Sequence, residues 1–266
     1  WGGPSTASAT LAVASHAQKY LGVDVLMHLA AARMSKEAIV QVLDEAKSCG
    51  IDNLLVIRGD PPKGKQSWEV GDVSGGFCDL ATDLVKFIRE RYGNFFCIAV
   101  AGHPEGHPSS TSPESELQHL KEKIEAGADM IVSQLFYDVD VFLDFVRRCR
   151  SEGIRCPIIP GIMPIQSFNS FRRTTKYCQI AVPHQIWKKL EPIKDNDDAV
   201  KQVGFEIATC MCRRILAEAP DDVDGLHFYT LNLERSVTQI LMELGAINIL
   251  KLGNGDLEKN NDGSSH

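Results

Sequence analysis

Two histidines, His103 and His107, lie four residues apart in the stretch VAGHPEGHP (100–108), and each precedes a proline. As metal ligands they would need a third donor of the right kind, and Glu105 is the one local candidate. In a Gly/Pro loop, imidazoles more often hydrogen-bond or stack on a ligand, and that is the chemistry expected here. In LLVIRGD (54–60) a cation and an anion, Arg58 and Asp60, directly follow an apolar run, and Gly59 between them permits close backbone approach. The pair would bind an anion and tune a ring nitrogen; an exposed ion pair in a turn is the plainer alternative. Gln134 closes MIVSQ (130–134) with an amide that both donates and accepts, suited to the edge of a heteroaromatic ring, or to capping the next helix. His28 sits in an apolar run, where a core histidine bonded to a backbone carbonyl is the commoner case. Glu116, His119 and Lys123 share one helix face by spacing, as solvated faces also do.

These residues share a place in the pattern. Short apolar segments at 24–29, 53–57, 97–101, 130–134, 157–160 and 226–229 read as strands, and a helix-patterned stretch follows each. Ser35 and Ser112 are placed to cap helices, the second with Pro113 at the first helical position. Glycines at 22, 50, 93, 127, 153 and 245 mark helix ends. A helix over 5–21 leads the chain, and a polar insertion precedes a helix over 197–217. Such alternation predicts an α/β fold, a parallel (β/α)8 TIM barrel whose site lies where the strands end. Six strands and one leading helix without its strand predict that about the first two strands lie upstream of Trp1. An open doubly wound sheet is the alternative, but no GxGxxG turn favours it. The expected organisation is one partial barrel over 1–250 and a disordered polar tail over 251–266. A barrel so truncated would be marginally folded and inactive on its own.

The 266 residues suit a barrel of ~250 residues, and 44% hydrophobic with 24% charged residues is an ordinary globular composition. A formal charge of -7 gives no footprint for nucleic acid, and no apolar run reaches the ~18 residues of a membrane span. The eight cysteines lack metal or disulfide spacing and read as reduced, mostly buried thiols of a cytoplasmic protein.

Seven segments in order resemble the catalytic domain of methylenetetrahydrofolate reductase. They are Arg58-Gly59-Asp60, GHPEGHP (102–108), LKEKIEAGAD (120–129), Gln134-Leu135-Phe136, IPGIMPI (159–165), EPIKDND (191–197) and GLHFYTLN (225–232). The resemblance implies a flavin-dependent oxidoreductase with FAD as cofactor and NADPH or NADH as reductant. Its reaction would take 5,10-methylenetetrahydrofolate to 5-methyltetrahydrofolate by a ping-pong mechanism, in one-carbon and methionine metabolism. By the same resemblance Trp1, His28, Arg58, Gly59, Asp60, Ala81, His103, His107, Pro108, Glu116 and Lys123 fall on flavin positions. Asp60 would also face the folate and act electrostatically in catalysis. Gln134 falls on a folate position and Tyr229 on a folate or nucleotide position.

The chain departs from the family at His103, where a tyrosine is usual, and at Leu80, where an aromatic residue is usual. Leu233 stands where some members have a folate-binding arginine, with Arg235 two residues on. The family's catalytic glutamate, its general acid, is expected upstream of Trp1. Partners implied are small-molecule substrates, with no metal, nucleic acid or membrane, and a homo-oligomer is possible. The alternatives are a truncated non-catalytic isoform or fragment, or another barrel flavoenzyme such as proline dehydrogenase.

Overall fold

The computed structural model describes residues 7–30, 34–59, 80–107, 110 and 112–246. Six parallel strands alternate with helices: β1 (Leu26–Ala30), β2 (Asn53–Ile57), β3 (Cys97–Gly102), β4 (Met130–Leu135), β5 (Ile158–Ile162) and β6 (His227–Phe228). They are hydrogen-bonded in chain order, β1 to β6. Between them run α2 (Lys36–Ser48), α3 (Ala81–Tyr92), α4 (Pro113–Glu125) and α5 (Val139–Ser151), with α1 (Ala7–His16) leading the chain. By contacts the chain forms two compact units, Trp1–Gln134 with Asp144–Pro160, and Leu135–Leu143 with Gly161–His266.

In the first unit the helices start where local chemistry allows. Ser35 Oγ accepts from the Ala38 amide, and Ser112 Oγ from the Ser115 amide, which satisfies one orphan N–H at each start. Strand side chains alternate. Met27, Leu29, Leu54, Val56, Ile98, Val100 and Ile131 are buried on one face of the sheet. Ile39 and Leu43 of α2, Leu84 and Ile88 of α3 and Leu120 of α4 are buried as well, each worth about 1.5–3 kcal/mol in transfer. Near the start of β3 and β4, Arg89 of α3 donates to the carbonyls of Gly127 (2.8 Å), Phe96 (2.7 Å) and Gly93 (3.1 Å) and to Asp129 Oδ2 (2.5 Å). The same Asp129 oxygen accepts from the Ile98 amide at 2.7 Å. One guanidinium therefore joins the end of α3 to the entries of both strands.

In the second unit, β5 pairs with β6 at Gly161–His227 and Ile162–Phe228, and the Tyr229 amide donates to the Ile162 carbonyl at 2.8 Å. Tyr137 Oη donates to the Met163 carbonyl, and its ring meets Phe171 edge-on at 5.0 Å. The helices are α6 (Phe168–Tyr177), α7 (His184–Leu190), α8 (Asp197–Glu218) and α9 (Glu234–Glu243), with a 3-10 turn over Glu191–Ile193.

Three expectations need correction. The polar insertion contains α7, which buries Ile186 and Leu190 and sets Trp187 against Phe171 at 4.8 Å. The leading helix is α-helical only to His16 and continues as a π-helical turn over Ala17–Leu21. Of the seven described cysteines, all free thiols, Cys149 and Cys212 are buried, whereas Cys49 and Cys210 are exposed and the others half-buried. Cys49 caps the end of α2, and Cys210 takes an outward position of α8 that apolar periodicity did not separate from inward ones. Cys78 and the 251–266 tail lie outside the described residues.

Candidate functional site

Strand register decides which residues share a face. His28 is paired with Leu55, Leu55 with Ala99, and Ala99 with Met130. Two-residue periodicity then puts His28, Leu55, Ala99, Val132 and Gln134 on one face of the first unit's sheet. Leu55, Ala99 and Val132 form a buried apolar cluster there, with Leu26, Ile57, Met130 and Ile159 packed on it. His28, the half-buried Gln134 and, at the start of β2, Asn53 are polar side chains on this largely apolar face. His28 is solvent-accessible, so the core-histidine alternative fails. Surrounding protein still desolvates its imidazolium and lowers its pKa.

The next shell stands beyond the C-terminal ends of β2 and β3. Arg58 and Gly59 follow β2, half-buried, and Gly59 has φ +95°, a backbone conformation that side-chain-bearing residues rarely adopt. In the β3–α4 loop, His103 Nδ1 lies 3.0 Å from Glu116 Oε1, and Ser110 Oγ donates to Glu116 Oε2 at 2.6 Å. The His103 and His107 rings meet edge to face, 4.8 Å between centroids. Lys123 Nζ donates to the Ala101 carbonyl at 3.1 Å.

Electrostatics follow from this packing. Burial alone would raise the Glu116 carboxyl, but hydrogen bonds from His103 and Ser110 and the charges of His103 and Lys123 hold it at about 2. Burial pushes Lys123 down, and Glu116 opposes that shift. His107 is lowered by burial first, then by His103, Lys123 and Arg58, against a raising effect of Glu116. The site is a fixed anion inside a group of cationic and imidazole side chains. Such a set can hold the phosphates and hydrogen-bonding ring edges of a large anionic ligand.

The structure thus brings together His103, His107, Glu116 and Lys123, with Arg58 within electrostatic reach of His107. It places His28 and Gln134 on one sheet face. The solvated-face alternative is wrong for Glu116, 8% exposed, and Lys123, but holds for the exposed His119. Gln134 lies within β4, and the side chain at the start of α5 that accepts a backbone bond is that of Asp138, from the Asp140 amide. Ala81 opens α3. Trp1, Asp60 and Pro108 lie outside the described residues. In the second unit, Tyr229 packs its ring 4.7 Å from His227, and burial pushes its phenol up to about 12. Ser110 and the Ala101 carbonyl were missed: a serine in a Ser-rich loop and a backbone oxygen carry no distinguishing signal in sequence. Among the described residues no group of three His, Cys, Asp or Glu is placed to hold a metal ion. No helix among them is long and apolar enough to cross a membrane.

Fold and face together define a parallel α/β protein with polar side chains gathered on and beyond one face of its sheet. A family model described as methylenetetrahydrofolate reductase matches residues 1–245, and the chain belongs to that family. It is 47% identical over 262 residues to "Methylenetetrahydrofolate reductase (NADH) 1" of Arabidopsis thaliana, covering 95% of this chain and 43% of that protein. It is 40% identical over 233 residues to "Probable methylenetetrahydrofolate reductase (NADPH)" of Caenorhabditis elegans, covering 88% and 34%. The chain therefore spans less than half the length of these relatives. Among solved structures, a Clostridium thermocellum protein described as binding two copies of 5-methyl-5,6,7,8-tetrahydrofolic acid aligns with a TM-score of 0.54. It is 14% identical and covers 87% of this chain and 78% of that one, a likeness of fold.

Proposed function

We propose that the chain is the catalytic part of an FAD-dependent oxidoreductase that reduces 5,10-methylenetetrahydrofolate to 5-methyltetrahydrofolate with NADH or NADPH. The observation that supports it most is the set of ligand-capable groups, His28 within β1 and Arg58, His103 with His107, and Gln134 at or just beyond the ends of β2 to β4, in a chain of this family. The names of the relatives, with NADH for one and NADPH for another, support the reductant class. The six strands would belong to a (β/α)8 barrel.

The donor set fits a flavin dinucleotide, whose pyrophosphate is anionic and whose ring edge both donates and accepts. Arg58 and Lys123 supply positive charge near a helix and strand end, and His28, His107 and the Gly59 backbone supply hydrogen-bonding partners. Glu116, ionised over the whole physiological range, suits a sugar hydroxyl rather than a phosphate. Trp1, Ala81, His103 and Pro108 complete the proposed flavin contacts. When bound, the flavin would carry a hydride between nicotinamide and folate, so that the two substrates use one place in turn, a ping-pong cycle. The chain's own groups do the rest. Gln134 holds the pterin edge by its amide, and Tyr229 contacts folate or nucleotide. The Asp60 carboxylate would stabilise the cation that develops when the folate imidazolidine ring opens.

Two substitutions test this in the full-length protein. Asp60→Asn should slow folate reduction about 100- to 1000-fold, the usual cost of one such interaction, while flavin reduction by NAD(P)H changes little. Equal slowing of both half-reactions would reassign Asp60 to flavin positioning. Gln134→Ala should keep FAD and weaken folate more than nucleotide, because the pterin leaves more groups unpaired. Flavin loss with unchanged folate affinity would remove Gln134 from the substrate site.

A further inference from the structure

His103 stands where the family resemblance leads one to expect tyrosine, and its surroundings are tightly specified. Its Nδ1 and Glu116 Oε1 are 3.0 Å apart, with the side chains 19% and 10% exposed. Ser110 donates to the other carboxylate oxygen and fixes Glu116 in turn. The far side of the imidazole is set by His107, whose ring it meets at 82° and 4.8 Å. Two imidazoles at that distance resist carrying two protons, and the carboxylate bonds His103 directly. We propose that His103 is a positioning residue: anchored by Glu116, it takes the proton of the His103–His107 pair and leaves His107 a neutral imidazole.

Most of the groups that act on His107 point the same way. His103 shares its loop, Glu116 and Lys123 come from α4, and Arg58 comes from the end of β2. Three of these four are bases or fixed cations, and Glu116 is engaged by His103 and Ser110. A neutral imidazole offers one donor and one acceptor, so His107 would read a hydroxyl or ring nitrogen of its ligand rather than add charge. A tyrosine at position 103 would supply the ring contact without the proton. The flavin reading supplies the identity of the ligand; the assignment of the proton rests on the geometry alone.

The test is a ring-carbon NMR titration of the protein with 13C-labelled histidine, with His107 assigned by its loss in His107→Gln. In His103→Gln and in His103→Tyr the His107 midpoint should rise, on the order of one pH unit. An unmoved midpoint in both His103 variants overturns the proposal. So does a His103→Tyr variant that titrates like wild type, since ring packing alone would then suffice. Methyl-region dispersion confirms that each variant is folded. Flavin content of the same samples separates the two ideas. A wild-type protein with no flavin but the expected His107 shifts sinks the flavin proposal alone, and bound flavin with an unmoved His107 sinks this one alone.

Discussion

Glu116→Gln isolates the charge of the buried carboxylate with almost no change of shape. The carboxyl titrates at about 2 in the folded protein against an ordinary value of 4.5, a depression of about 2.5 units. At roughly 1.36 kcal/mol per unit, ionised Glu116 contributes about 3 kcal/mol to stability. The sign follows from the direction of the shift. A depressed folded-state value means that the contribution is fully present above pH 4.5 and is lost as pH falls toward 2. Urea unfolding followed by circular dichroism should therefore show a loss of about 3 kcal/mol for the variant at pH 7, shrinking to roughly 1.4 kcal/mol at pH 3. An equal loss at both pH values would mean that packing, not charge, is what the substitution removed. No loss at pH 7 would refute the hydrogen-bonded arrangement of His103, Glu116 and Ser110 altogether.

Arg89→Met should cost roughly 3 kcal/mol or more, because three carbonyls and the Asp129 carboxylate lose their donor. A midpoint shift in urea of under a fifth of the wild-type value would count against Arg89 as the tie between α3 and the β3 and β4 entries. Gly204→Ala in α8 would place a Cβ 2.3 Å from the Ile165 carbonyl oxygen, a backbone atom that cannot swing away. Overpacking of this kind costs about 1–3 kcal/mol, and a variant with wild-type Tm would show that α8 shifts freely.

Much of the fold could be read from the chain because its signals are local. Ser35 and Ser112 cap the helices they were expected to cap, and Gly50 and Gly153, expected helix stops, have φ of +76° and +83°. The apolar runs that begin near residues 53, 97 and 130 are β2, β3 and β4. Where the chain misled, the missing information was tertiary. Within α7, seven residues with two inward apolar positions among lysines look like a loop until Trp187 finds Phe171. Glu116 and Lys123 obey a spacing that any solvated helix obeys, and only tertiary contacts, from His103 and Ser110 to the one and from β3 to the other, bury Glu116 and make Lys123 a donor to Ala101. His28 misled in the opposite direction, since an apolar strand suggests burial, whereas the face it occupies is open to solvent at that position.

The central claim is that the strand-end face carries a flavin that serves nicotinamide and folate in turn. Anaerobic stopped-flow spectroscopy of the purified full-length protein tests it most directly. NADH or NADPH should bleach the visible absorbance of the bound flavin, and 5,10-methylenetetrahydrofolate should then restore it in a separate mixing step. A protein that takes up no FAD, or whose reduced flavin is not reoxidised by the folate, would contradict the account.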